Sequence, residues 1–217
     1  MEKKMDQFNI PIYFYSGVDK QDPRICNIDN THIQRSASIC YGHLDMIKHF
    51  LNNSQKEYVV IMEDDIIIRH SLIDDLVKMI DIVIKYQYDI VLLGYLCHNP
   101  IDTYSNFPQL PTEYSTTNFK ILTNYPSDTW GTQMYMLTKK QCNFLINKYY
   151  IGYFEKSLLN SSMTPFSADW TITKDGKRCL LYPQRAAEEY IEHQYNDKGQ
   201  EICRYNCNQF IKKEDYI

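Results

Sequence analysis

The chain has 217 residues, 44% hydrophobic and 23% charged, with a formal net charge of −4. That composition suits one globular domain with a full core spanning residues 1–217. Lysine and arginine are spread along the chain, so no concentrated basic face marks a nucleic-acid binder, and no apolar run approaches the ~20 residues that cross a bilayer.

The opening MEKKMDQFNIPIYFY lacks the apolar stretch of a signal peptide, so a soluble, cytoplasmic protein with no membrane span is expected. The seven cysteines are odd in number and include no Cys-x-x-Cys pair. They read as buried small hydrophobes rather than as a disulfide framework or a zinc site. The first expected strand is IPIYFYSGVD, Ile10 to Asp19, turning at Ser16-Gly17. Thr31 is placed to cap a long helix. Within it Ile33, Ala37, Cys40, Leu44, Ile47 and Leu51 recur every three or four residues. Tyr58 to Met62 is a short, β-branched apolar run, the pattern of a strand buried on both faces of a parallel sheet. Ser71, with Asp74 three residues on, predicts a capping box for a second helix striped by Leu72, Leu76, Val77, Ile80 and Val83. Asp89 to Gly94 reads as another buried strand.

Strand, helix, strand, helix, strand in that order predicts an α/β fold with a mostly parallel sheet flanked by helices. Tyr95 to Asp128 lacks periodicity and has the length of a functional loop. Trp130 to Thr138 predicts a strand, and Thr138 caps a helix running to Tyr150. An irregular stretch reaches Ala168, and Arg178 to Pro183 is the last core strand expected.

Glu63, Asp64 and Asp65 interrupt the most apolar stretch of the chain, YVVIMEDDIIIRH. They fall at the carboxyl end of a predicted strand, where open α/β sheets bind ligands. Three adjacent carboxylates repel one another and are costly to bury unpaired. A hard cation such as Mn²⁺ or Mg²⁺ relieves that cost and can hold a diphosphate. On an extended chain Glu63 and Asp65 point the same way. One of them can ligate metal while the other reaches a ribose hydroxyl or a metal-bound water, and Asp64 braces the loop. A solvated turn after a strand is the plain alternative.

The segment ASICYGHLDMIKHFLNNSQKEYVVIMEDDIII resembles the core of glycosyltransferase family 25, which includes lipooligosaccharide sugar transferases and collagen galactosyltransferases. The resemblance rests on Gly42-His43 opening a helix segment, then a hydrophobic strand, then Glu63-Asp64-Asp65. WGTQMYMLTKKQCNFLI resembles the family's Gly-Thr-x-x-Tyr strand and helix, and SADW, Ser167 to Trp170, its acceptor-side Asp-Trp motif. Together these span roughly Ala37 to Pro183. The resemblance implies a Rossmann-like GT-A fold, a UDP-sugar donor, Mn²⁺ (or Mg²⁺), a glycan or protein acceptor and inversion at the anomeric carbon. It makes Asp169 the candidate base, with a helix N-cap as its alternative role. It places His43, Glu63, Asp64, Gly94, Thr132 and Gln133 around the donor, and Asp65, Glu63 and His193 at the metal. Gln133 stands where the family often has histidine. Trp130 is a candidate to pack a sugar or uracil face, or a core residue. Family members usually start with a strand and an arginine-bearing segment that touches the nucleotide. Here IPIYFYSGVD is more similar to the family's second strand, so either that first unit is lost, which leaves Tyr13, Tyr15, Ser16 or Asp19 to hold uridine, or IPIYFY takes its place. A non-catalytic binding domain of the same fold and a metal-dependent phosphohydrolase are the competing expectations.

Overall fold

The computed structural model describes residues 5–6, 12–96, 119–123 and 129–188. Helix α1 is Thr31–Asn53 and is followed by β1, Tyr58–Met62. The chain bends at Asp64 and Asp65 and continues as the short strand β2, Ile66–Ile68, then α2, Leu72–Tyr86, and β3, Ile90–Leu96. Next come β4, Lys120–Thr123, β5, Trp130–Thr138, and helices α3, Lys139–Tyr149, α4, Tyr153–Leu159, and α5, Ala168–Thr171. Strands β6, Arg178–Tyr182, and β7, Ala186–Glu188, complete the described chain.

One seven-stranded sheet has the order β1-β5-β3-β6-β4, with β7 beside the far end of β3 and β2 on β7. The α/β expectation holds, but the mostly parallel sheet does not. β1 with β5, β5 with β3, β4 with β6, and β2 with β7 are all antiparallel. Among the described residues parallel pairing is confined to β3 with β6 and with β7. The reason is β5, which lies between β1 and β3 and runs against both. An apolar run reports burial on both faces of a sheet and carries no information about direction.

Period-two alternation divides the core. Tyr135 and Leu137 of β5 join Ile61, Leu92 and Leu180 under α1 and α3, whose Leu44, Ile47, Cys142 and Leu145 face them. Met134 and Met136 join Val91, Leu93 and Leu181 against Leu72, Met79 and Val83 of α2. Helices thus cover both faces.

Several local expectations shift. The N-cap of α1 is Asn30, whose side chain accepts from the amides of His32 and Ile33. Asparagine is as good a cap as the Thr31 beside it. Ser71 forms no side-chain cap bond; its hydroxyl donates to Asp75 Oδ2 at 2.6 Å, so the Asp74 capping box is replaced. The cause is Arg185, a fully buried side chain whose Nε lies 2.5 Å from Asp75 Oδ2. A buried guanidinium needs a counter-ion, and Asp75 is on the inward face of α2.

Residues 12–19 form no strand; Tyr13 is 88% exposed. Ile10 and Pro11 lie outside the described residues. The following loop is held to α1 by side chains instead. Ser38 Oγ donates to the Val18 carbonyl, Gln34 Nε2 to that of Ile25, and Arg24 bridges Asp22 and Asp45. The stretch before Ala168 contains α4, and β4 falls inside the long segment read as a loop. Thr138 caps α3 as expected, accepting from the Gln141 amide at 3.1 Å. Among the described residues no helix is long and apolar enough to cross a membrane.

Gly94 is where β3 changes partner, from Leu92 opposite Leu180 to Gly94 opposite Ala186. A Cβ on Gly94 would lie 3.0 Å from the Ala186 carbonyl oxygen and 3.1 Å from Gln133 Cβ. Backbone cannot yield as a side-chain tip can. Gly94→Ala is expected to cost about 1–3 kcal/mol, seen as a lower urea midpoint at unchanged m-value.

Candidate functional site

The carboxyl ends of β1 and β3 and the start of β5 meet at one edge of the sheet. Met62 is opposite Met134, and the next rung is the Glu63 amide donating to the Gln133 carbonyl at 3.0 Å. That rung brings Glu63 beside Thr132, whose hydroxyl lies 3.1 Å from Glu63 Oε1. The same hydroxyl is 3.4 Å from Asp169 Oδ1. Asp169 is presented by α5, which is fastened to α1 through Cys40 Sγ and Thr171 Oγ1, 3.0 Å apart. Burial pushes the Cys40 thiol up to about 12, so it stays neutral and serves as packing.

The Gly131 amide donates to Asp169 Oδ1 at 2.9 Å. A Cβ on Gly131 would come within 2.8 Å of Leu92 Cδ1, so glycine lets this amide sit close over β3. From the α1 side, buried His43 places Nε2 3.7 Å from Glu63 Oε1 and Nδ1 2.8 Å from the Tyr135 hydroxyl. The result is one continuous polar chain: Tyr135, His43, Glu63, Thr132, Asp169, and the Gly131 amide.

Electrostatics along that chain are tight. Burial raises the Asp169 carboxyl above its ordinary value. The Gly131 N–H opposes this, the Glu63 charge adds to it, and His43 and Lys174 work against it. Both contacts fall on Oδ1; among the described residues Oδ2 takes no hydrogen bond. Burial likewise holds the Tyr135 hydroxyl well above the usual phenol range, so it is a neutral O–H.

The structure therefore brings together His43, Glu63, Thr132 and Asp169, four residues singled out in the sequence. Gln133 is buried beside them and contributes its carbonyl. Gly94 packs between Gln133 and Ala186, where its lack of a side chain allows close approach. Asp64 and Asp65 are exposed in the bend after β1, so the simple strand alternation expected for the triplet stops at Glu63. His193 lies outside the described residues. Trp130 is 36% exposed at the start of β5, so it is not a core residue. Tyr135 and the Gly131 amide were not singled out. Tyr135 had a signal, since it closes the Gly-Thr-x-x-Tyr pattern begun by Gly131 and Thr132.

Among the described residues no group of three or more His, Cys, Asp or Glu side chains is placed to hold a metal ion. The donor chemistry at the bend still fits a hard cation. Mg²⁺ commonly takes one or two carboxylates and completes its shell with water and substrate phosphate, and Asp64 and Asp65 offer carboxylate oxygens at an exposed edge.

Comparison with known proteins matches the chain to no family model and to no curated protein.

Two outcomes follow from this geometry. Thr132→Val removes the hydroxyl between two carboxylates and is expected to lower stability by about 1–3 kcal/mol in urea denaturation. Asp169, with its folded-state value raised, gives the folded protein more bound protons than the unfolded chain between 3.8 and that value. Stability contributed there falls as pH rises through the window. Asp169→Asn keeps an acceptor for Gly131 and is expected to gain stability relative to wild type as pH rises from about 4 towards neutrality.

Proposed function

We propose that this chain is a glycosyltransferase of GT-A type, similar to family 25, that takes a UDP-sugar at the carboxyl ends of β1 and β3 and transfers the sugar with inversion. The observation that carries this reading is the convergence of His43, Glu63, Thr132 and Asp169 into one polar set, Thr132 within hydrogen-bond distance of both carboxylates and His43 Nε2 3.7 Å from Glu63. They come from three separate stretches of sequence, each resembling a different motif of that family.

In this reading Asp169 is the base. The Gly131 N–H holds Oδ1 and so orients the carboxylate, with the Thr132 hydroxyl, closer to Glu63, 3.4 Å from the same oxygen. The lone pairs of Oδ2 accept the proton of the acceptor hydroxyl as its oxygen bonds the anomeric carbon and the bond to the leaving diphosphate breaks. A raised carboxyl pKa makes Asp169 a stronger base than an exposed aspartate. His43, Glu63, Thr132 and Gln133 form the wall against which the donor sits. Mn²⁺ or Mg²⁺ would be held by Asp65, with the exposed Asp64 rather than Glu63, whose Oε1 accepts from Thr132, and would supply neutralisation of charge on the diphosphate. His193 is proposed as a further ligand.

A panel of UDP-sugars with Mn²⁺, followed by calorimetry and by UDP release, tests the reading. At least one donor is expected to bind and turn over. Asp169→Asn should keep binding and slow release by about 10²–10⁴-fold, while Asp65→Asn should weaken the metal dependence of binding. Binding with no turnover would make the chain a nucleotide-sugar-binding domain. The absence of binding by any UDP-sugar would overturn the proposal.

A further inference from the structure

We infer that Tyr135 is a positioning residue for this site: its hydroxyl donates to Nδ1 of His43 and so fixes the ring as the Nε2–H tautomer, aimed at Glu63. The inference rests on the donor-site reading only for its consequence in binding; the tautomer itself follows from hydrogen-bond satisfaction.

Tyr135 has no exposed surface. Among the described residues its hydroxyl has one hydrogen-bonding partner, His43 Nδ1 at 2.8 Å. A neutral imidazole carries one proton, and the two placements are unequal. With the proton on Nδ1, the ring donates to the tyrosine oxygen. The tyrosine O–H is then buried with nothing to receive it, and Nε2 turns a lone pair towards Glu63 Oε1. A buried donor left unmade costs about 1–3 kcal/mol, and two electron-rich atoms facing each other add repulsion. With the proton on Nε2, the tyrosine O–H donates to Nδ1 and the N–H dipole faces the carboxylate 3.7 Å away. All three groups are then in their favourable sense. The hydroxyl of Thr132, 3.1 Å from the same Glu63 oxygen, completes the hold on that carboxylate. Tyr135 and Glu63 do not need to touch for one to govern the other. The aromatic rings of His43 and Tyr135, with centroids 5.6 Å apart, keep the two side chains in register.

The histidine ring nitrogens report the tautomer directly by long-range ¹H–¹⁵N correlation at mildly alkaline pH, where imidazole is neutral. Wild type is expected to show the Nε2–H pattern for His43. Tyr135→Phe, which retains the ring, is expected to mix the two tautomers, and where a UDP-sugar binds, to weaken it by roughly tenfold, about the worth of one hydrogen bond. An Nδ1–H pattern in wild type overturns the inference, as does a pure Nε2–H pattern in folded Tyr135→Phe. The wild-type spectrum decides alone if the variant fails to fold. A chain that binds no UDP-sugar yet shows the Nε2–H pattern removes the donor reading and leaves this inference standing.

Discussion

The antiparallel ladder between β1 and β5 sets Glu63, Thr132 and Tyr135 relative to one another, and the side chains of α1 and α5 meet them there. Tyr58 is opposite Thr138 and Met62 opposite Met134, so the rungs are set along the whole length of β1. Because side chains alternate with period two, a slip of one residue would turn Tyr135 from the α1 face to the α2 face. The Tyr135–His43 contact would be lost, and Thr132 would leave Glu63. The register is over-determined by burial: Tyr135 and Leu137 belong to one core and Met134 and Met136 to the other. The chemistry at the sheet edge is thus held by apolar packing further along the same strand.

Asp75 and Asp169, a buried and a half-buried carboxylate among the described residues, solve the same electrostatic problem differently. Asp75 is fully buried and is balanced by a full opposite charge on Arg185, with the Ser71 hydroxyl as a second donor. Asp169 has no such paired charge in contact among the described residues: burial raises its carboxyl, and the Gly131 amide, with His43 and Lys174 further off, offsets that only in part. A buried ion pair locks both partners in place. A carboxylate held at one oxygen by an amide leaves its other oxygen less committed, which is the arrangement the proposed base role draws on.

Much of the site was legible in the sequence, and the strand directions were not. Glu63 stood out because charge inside an apolar run demands a partner, and His43, Thr132 and Asp169 through their resemblance to known motifs. Asp64 and Asp65 did not follow Glu63, since a bend after a strand ends the alternation that grouped them. β4 and β7 have too few residues for a periodicity to show, and their pairing depends on chain far away in sequence. Arg185 looked like an ordinary polar residue because nothing nearby in sequence announces its partner on α2. Ser71 was assigned to the wrong neighbour for the same reason: the demand that Arg185 makes on Asp75 is tertiary.

The attachment of residues 18–28 to α1 bears on how this protein can vary over time. A strand in a sheet constrains every residue it contains, through alternation and through the ladder. A segment fastened by Arg24 to Asp22 and Asp45, by Ser38 and Gln34 to backbone carbonyls, and by Ile25, which is buried in the core with Val18 and Ile28 packed beside it, is constrained at those points and less at its exposed positions. The helix side of the contact carries the recognition, and it reads mostly backbone, which every residue has. Substitution at the exposed positions between the fastening points therefore leaves α1 and His43 in place. The segment beside the site is free to diverge in sequence while the polar chain from Tyr135 to Gly131 stays fixed.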